Sequence, residues 1–185
     1  MTAIYKQQGF TIIELLVVIA IAAILATIAA PSFVDINKNN RVNGAAREFQ
    51  GIIQLARTEA ITRNAIVNLY NSNTDGDWSD VIYLCEAASN TAICVSNDAS
   101  FIKKYNIGDL SDDDVSNGDI TIDSNTTADS IISFAANGRL STNTAIAIAF
   151  CDNRTSGNRD FQLLSISVTG RPSISDLETG GSCTQ

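Results

Sequence analysis

The chain has 185 residues, of which 45 % are hydrophobic and 17 % charged, with 12 basic against 20 acidic side chains, four cysteines and no histidine. That length fits one compact domain with material to spare for an anchor or tail, and the missing imidazole excludes histidine acid–base catalysis, Ser–His and Cys–His nucleophiles, and histidine-ligated zinc or haem. The formal charge of −8 argues against sequence-independent grip on nucleic acid, which depends on neutralising phosphates with Lys and Arg.

The first element is strongly apolar. From Phe10 to Val34, 20 of 25 residues are apolar, against 59 of 151 from Asp35 to Gln185. Leu15 to Val34 is 20 residues without a charge, and a helix of that length matches the roughly 30 Å hydrocarbon core of a bilayer. A cleavable secretory signal would supply a basic start and a small-residue cleavage site, for which Lys6 and Ile28-Ala29-Ala30 could serve, but its apolar stretch is shorter than this one. A plain anchor fits the length and leaves Glu14 unexplained. A carboxylate inside a bilayer costs about 2.5–3.5 kcal/mol, so an intramembrane acid points to a function and to a partner.

Gly9-Phe10-Thr11-Ile12-Ile13-Glu14-Leu15-Leu16-Val17-Val18-Ile19 resembles the class III signal of type IV pilins and type II secretion pseudopilins. The resemblance implies that a prepilin peptidase cuts between Gly9 and Phe10 and that the new amino terminus of Phe10 is methylated. Residues 1–9 are then a leader, 10–34 a transmembrane and filament-core helix, and Glu14 the fifth residue of the mature chain. The partner missing for Glu14 becomes the terminal amine of a neighbouring subunit. Pairing the two charges inside an apolar filament core removes a desolvation penalty and fixes axial register.

Pro31 should kink the helix near Ala30 without ending it, since helical periodicity resumes beyond it. Val42, Ala45, Ala46, Phe49, Ile52, Ile53, Ala56 and Ala60 form one apolar stripe, with Arg47, Gln50, Gln54 and Arg57 off it. Residues 35–64 therefore read as the amphipathic half of one long helix, lying on a sheet. Gly44 and Gly51 weaken it locally, and Asn37-Lys38-Asn39-Asn40 is a candidate fraying point. From 65 to 185 the pattern changes to short β runs: Ala65–Tyr70, Trp78–Cys85, Ile120–Asp123, Ser130–Ala135, Thr144–Cys151 and Phe161–Thr169. Asn137-Gly138 marks a reversal, and Asn106–Asn117 reads as a polar, acidic surface loop. A helix followed by antiparallel-type strands is an α+β head. Residues 35–63 carry five basic and three acidic side chains, whereas residues 64–185 carry six basic and sixteen acidic. The acidic head suits solubility after export, or docking against basic surfaces of other subunits.

Cys85, Cys94, Cys151 and Cys183 all follow the apolar segment, where an oxidising compartment would allow disulfides. Three connectivities are open. Cys85 with Cys94 and Cys151 with Cys183 is preferred, because the first closes a short local loop and the second ties down the tail; the loop-entropy model gives each roughly 3–4 kcal/mol. A zinc site is disfavoured by the lack of a close C-x-x-C pair. Asn71, Asn73, Asp75, Gly76 and Asp77 copy the start of an EF-hand loop, but Ile82 stands where the bidentate glutamate belongs. The run Asp112-Asp113-Asp114 reads as a solvated loop, so no metal or other cofactor is expected. No phosphate loop, dinucleotide fingerprint or G-x-S-x-G is present. Arg139, Arg154, Arg159 and Arg171 read as structural or interfacial, and the chain is not expected to be an enzyme.

In the head, Phe49, Leu55 to Asn64 (Leu-Ala-Arg-Thr-Glu-Ala-Ile-Thr-Arg-Asn), Phe134 through Asn137-Gly138-Arg139, Cys151-Asp152 and Ser165-Ile166-Ser167-Val168-Thr169-Gly170-Arg171 together resemble the FimT/FimU minor pilins and the GspH pseudopilins. With the leader, the resemblance covers most of the chain outside residues 71–125, and the paired cysteines bring it closer to FimU. It implies a pilin fold: a long bent helix packed on an antiparallel β head. It also implies partners, namely other minor pilins and the major pilin, a prepilin peptidase, an inner-membrane assembly platform and a tip adhesin, with membrane residence before assembly and the pilus surface afterwards. The implied role is priming of pilus assembly and joining of the tip to the shaft, in support of twitching motility and adhesion. A type II secretion pseudopilin shares the leader and helix and stays open. FimT-like proteins bind incoming DNA through a G-R-x-R motif; the matching residues are Gly170-Arg171-Pro172-Ser173, so Arg171 is a possible DNA contact whose companion arginine is a serine.

Overall fold

The computed structural model describes residues 10–71, 78, 81–93, 100–106, 120–124, 131–152 and 161–177, with the side chains at all of these positions except 28–35, 38, 120, 121, 123, 152, 161, 176 and 177. One helix, α1 (Ile12–Arg63), is followed by eight strands: β1 (Ile66–Asn71), β2 (Val81–Ala87), β3 (Phe101–Asn106), β4 (Ile120–Ser124), β5 (Ile131–Phe134), β6 (Ile146–Asp152), β7 (Phe161–Ile166) and β8 (Pro172–Leu177). The chain divides into two compact units, residues 1–37 and 38–185.

In the first unit, helix α1 starts at a threonine N-cap. Thr11 is the residue before the first helical position, and its Oγ1 accepts a hydrogen bond from the Glu14 amide at 3.3 Å, satisfying one donor that the first turn leaves open. Every side chain from Phe10 to Thr27 is exposed, including Ile12, Ile13, Leu15 and Leu16. A helix apolar on all sides is stable only when something covers it. The membrane-length span expected at Leu15–Val34 is not met by the described residues: among them no helix is long and apolar enough to cross a membrane, because the side chains of 28–35 fall outside them. Helix α1 continues through Pro31 and through Asn37–Asn40, so the latter is no break in its hydrogen bonding.

The second unit holds the core. All eight residues of the apolar stripe of α1, from Val42 to Ala60, are buried. They share one cluster with Val67, Leu69, Ile82 and Leu84, with Ile132 and Phe134, and with Ile122, Ile148, Phe150, Leu164 and Ile166. Phe49 sits at the centre, its ring 5.7 Å from both Trp78 and Phe150 in edge-on contacts, a geometry that adds to area burial. The helix ends where Asn64 takes φ 52°, the left-handed position that closes helices.

The strands form two four-stranded antiparallel sheets, β3-β2-β1-β5 and β4-β6-β7-β8. Six strands lie where alternation places them. Trp78 is not part of β2: it is buried ahead of it, its amide bonded to the Ile122 carbonyl at 2.9 Å. Ser167–Thr169 belong to a turn that ends β7 at Ile166. Two strands carry no clear alternation. In β3, Lys103 and Lys104 interrupt the pattern, yet Lys103 lies over the Tyr105 ring at 4.6 Å and Lys104 over Tyr83 at 5.9 Å, a use open to an edge strand. In β8, Pro172 takes the first position, where a missing amide is tolerated.

Candidate functional site

Three places combine exposure with chemistry. At the amino-terminal end, Phe10 is 81 % exposed and Glu14 is exposed in the first turn of α1. The N-cap was legible as Thr11 three residues ahead of Glu14, a signal overshadowed by the apolar run around it. It gives the Glu14 amide a local role and leaves its carboxylate directed at nothing among the described residues. Gly9, on the other side of the expected cleavage, lies outside them, as does the side chain of Pro31.

The second place is a corner of the head where three of the quoted segments converge. Ala135 to Arg139 and Ser167 to Arg171 form two turns of the same construction. In the first, Ala135 N–H bonds to Arg139 O at 2.9 Å and Gly138 N–H to Ala135 O at 2.8 Å; in the second, Ser167 N–H bonds to Arg171 O at 3.0 Å and Gly170 N–H to Ser167 O at 2.7 Å. Gly138 and Gly170 have φ of 74° and 77°, the left-handed conformation that glycine adopts without strain. The turns are joined, because Leu140 N–H bonds to Val168 O at 3.1 Å and Gly170 packs against the Gly138 carbonyl so closely that a Cβ there would collide with it. That same carbonyl accepts from Arg57 Nε of α1 at 3.0 Å. Arg57, expected on the free face of the helix, is thus bound to the corner; the contact spans 81 residues and no local pattern announces it. Arg139 and Arg171 are exposed.

The third place is a groove of about 420 Å³ lined by Asn43, Arg47 and Gln50 of α1 and by Gln162, Ile174 and Ser175 of β7 and β8. Beyond it, Arg63 Nε bonds to Glu59 at 2.7 Å and its Nη1 approaches Glu86 at 3.5 Å. The hydrogen bond that Arg63 donates to Glu59 holds the Arg63 pKa above its ordinary value.

Cys85 and Cys151 are buried on different sheets, and neither is a free thiol. Cys94 and Cys183 lie outside the described residues. After β2 the chain curls back over β1: buried Asn68 donates through Nδ2 to Ser89 O and Ala92 O, both at 3.0 Å. Most of the EF-hand-like stretch and all of Asp112–Asp114 lie outside the described residues, and among the described ones no three metal-ligating side chains cluster.

Residues 45–170 match the family described as type II transport protein GspH, and residues 4–30 match the prokaryotic N-terminal methylation motif. A fimbrial protein of Pseudomonas aeruginosa is 37 % identical over 62 residues, 34 % of this chain and 40 % of that protein. The fimbrial protein EcpB of Eikenella corrodens is 54 % identical over 39 residues, 21 % of this chain and 24 % of its own length. The chain therefore spans less than half the length of these relatives. Among solved structures, the type IV minor pilin FimU of Pseudomonas aeruginosa shares the fold with a TM-score of 0.59 at 21 % identity, over 78 % of this chain and 98 % of that one.

Proposed function

The chain belongs to the GspH family, and on that premise we propose that it is a minor pilin: a structural subunit, not an enzyme, that helps prime a type IV pilus and joins its tip complex to the shaft. The observation that carries this reading is the pairing, on one chain, of the methylation motif over residues 4–30 with the GspH match over residues 45–170. The likeness to fimbrial proteins supports the pilus as its location.

In this reading the leader ends at Gly9, the peptidase frees the amine of Phe10, and residues 10–34 hold the chain in the inner membrane until it is extracted. The exposed apolar surface from Phe10 to Thr27 is then covered first by lipid and afterwards by the helices of neighbouring subunits. Glu14 receives the amine of a neighbour. The head, residues 65–185, is braced by Cys85–Cys94 and Cys151–Cys183. Support for the first bridge is the Asn68 staple, which turns the chain after β2 back over β1 at Asn68, the register partner of Cys85. Non-reducing peptide mapping tests the pairing, and a Cys85–Cys151 peptide overturns it.

The mass of the native amino-terminal peptide tests the whole reading: a methylated Phe10 is expected, and an intact Met1 overturns it. A second reading, a pseudopilin of a type II secretion machine, is favoured by the description of the matched family. Deleting the gene and scoring twitching, surface pili and exported enzymes separately distinguishes the two.

A further inference from the structure

We infer that the twin Gly-Arg turns at the corner of the head are a docking face, through which Arg139 and Arg171 grip a carboxylate cluster on the head of a neighbouring subunit. The inference rests on the subunit reading above and names the chemistry of one of its contacts.

The argument begins with how the two arginines are presented. Each follows a left-handed glycine and each has its own carbonyl tied down by the amide four residues earlier, Ala135 N–H to Arg139 O and Ser167 N–H to Arg171 O. The backbone under both guanidinium groups is therefore fixed in the same way. The turns are welded side by side by the Leu140–Val168 bond and by Gly170 against the Gly138 carbonyl, and Arg57 anchors the pair to α1. Rigid placement lowers the entropy that binding must overcome.

The side chains, by contrast, are uncommitted. Both arginines are exposed, and among the described residues neither guanidinium makes a hydrogen bond or an ion pair. No acidic residue occurs from Ile131 to Ser141 or from Phe161 to Ser175. Glu59, two residues before Ile61 on α1, is occupied by Arg63 at 2.7 Å. Ile61 stands 49 % exposed beside Gly138, its Cδ1 only 2.7 Å from where a Cβ on that glycine would be. Two arginines without a partner among the described residues, beside a half-exposed isoleucine, have the composition of a protein-binding anchor.

The occupant follows from charge. Arginine presents a planar fork that matches a carboxylate in two parallel bonds. Residues 64–185 hold sixteen acidic and six basic side chains, so a head of this kind supplies such carboxylates in excess. An extended polyanion is repelled by the same excess, since duplex DNA continues one charge per roughly 1.7 Å past any two-arginine contact. A compact cluster of carboxylates meets the corner and ends there.

The test places a photo-crosslinking amino acid at exposed Thr169 of the full chain, in cells that assemble filaments. The expected result is a cross-link to another filament subunit whose contact peptide contains Asp or Glu. The double variant Arg139→Glu/Arg171→Glu should cut it at least tenfold, and reversal of the identified carboxylate to Arg should restore it. Arg139→Lys/Arg171→Lys, with the charge kept and the fork lost, should fall between. A cross-link indifferent to charge reversal, a contact peptide without carboxylates, or salt-sensitive binding of a DNA duplex lost in Arg171→Ala overturns the inference. Sheared filaments are probed in parallel for the unmodified chain: its absence there with the cross-link intact removes the pilin reading and leaves the docking face standing.

Discussion

Helix α1 serves two regions of opposite chemistry. From Ile12 to Thr27 every side chain is exposed and only Glu14 and Thr27 are polar, whereas from Val42 to Ala60 an apolar stripe is buried against two sheets. The second stretch is stabilised within its own chain by Phe49, Trp78, Phe150 and their neighbours. The first has no such partner among the described residues of its own unit, so its apolar surface is stability held over for another environment. A substitution in one region should be read by a thermodynamic assay, and in the other by an assembly assay.

The sharpest way to break this contrast is Glu14→Ala. Membrane insertion and head stability should be unchanged while incorporation into sheared pili is lost; wild-type incorporation would sink the assembly role of Glu14. Phe49→Ala should do the reverse, leaving insertion intact and costing the head about 3–5 kcal/mol, with urea unfolding as the readout. A loss below about 1 kcal/mol would mean that the ring is not the centre of the core. Gly170→Ala comes next. Forcing a side chain into φ 77° costs about 1–3 kcal/mol from the backbone alone, and its Cβ must also displace the Gly138 carbonyl. It should therefore weaken the head and blunt cross-linking from Thr169 together.

Two smaller effects sharpen the comparison within the helix. Gly51 is exposed with open space around its Cα, so Gly51→Ala should raise stability by up to about 1 kcal/mol in the melting of the head; a loss there would show that a neighbour needs the gap. Arg63→Ala should cost only about 0.3–0.5 kcal/mol, because its bond to Glu59 is an exposed pair four residues apart. The raised pKa of Arg63 gives the sign of its pH dependence. The contribution is complete below the unfolded value and fades only as pH climbs through the folded one, so melting of Arg63→Ala and the parent should differ equally at pH 6 and 8.

Much of this was legible in residue order. The stripe on α1, the Asn137-Gly138 reversal and six of the strands follow from periodicities of 3.6 and 2 and from glycine's freedom at positive φ. Strand β3 was hidden because its lysines rest on Tyr105 and Tyr83, contacts made with the strand itself and its neighbour across the sheet. Arg57 was misplaced for a related reason: a helical wheel assigns it to the solvent face, and only the return of the chain 81 residues later brings a carbonyl to it.

The sequence by itself determined which segment is apolar, where the processing motif falls, and which face of the helix is buried, because these depend on neighbours within a turn or two of chain. The tertiary structure alone decided that Ala135–Arg139 and Ser167–Arg171, similar as Gly-Arg segments, are joined into one corner with Arg57 beneath it. Such a junction depends on carbonyls and amides far apart in the chain, and their meeting is fixed by packing of the whole core.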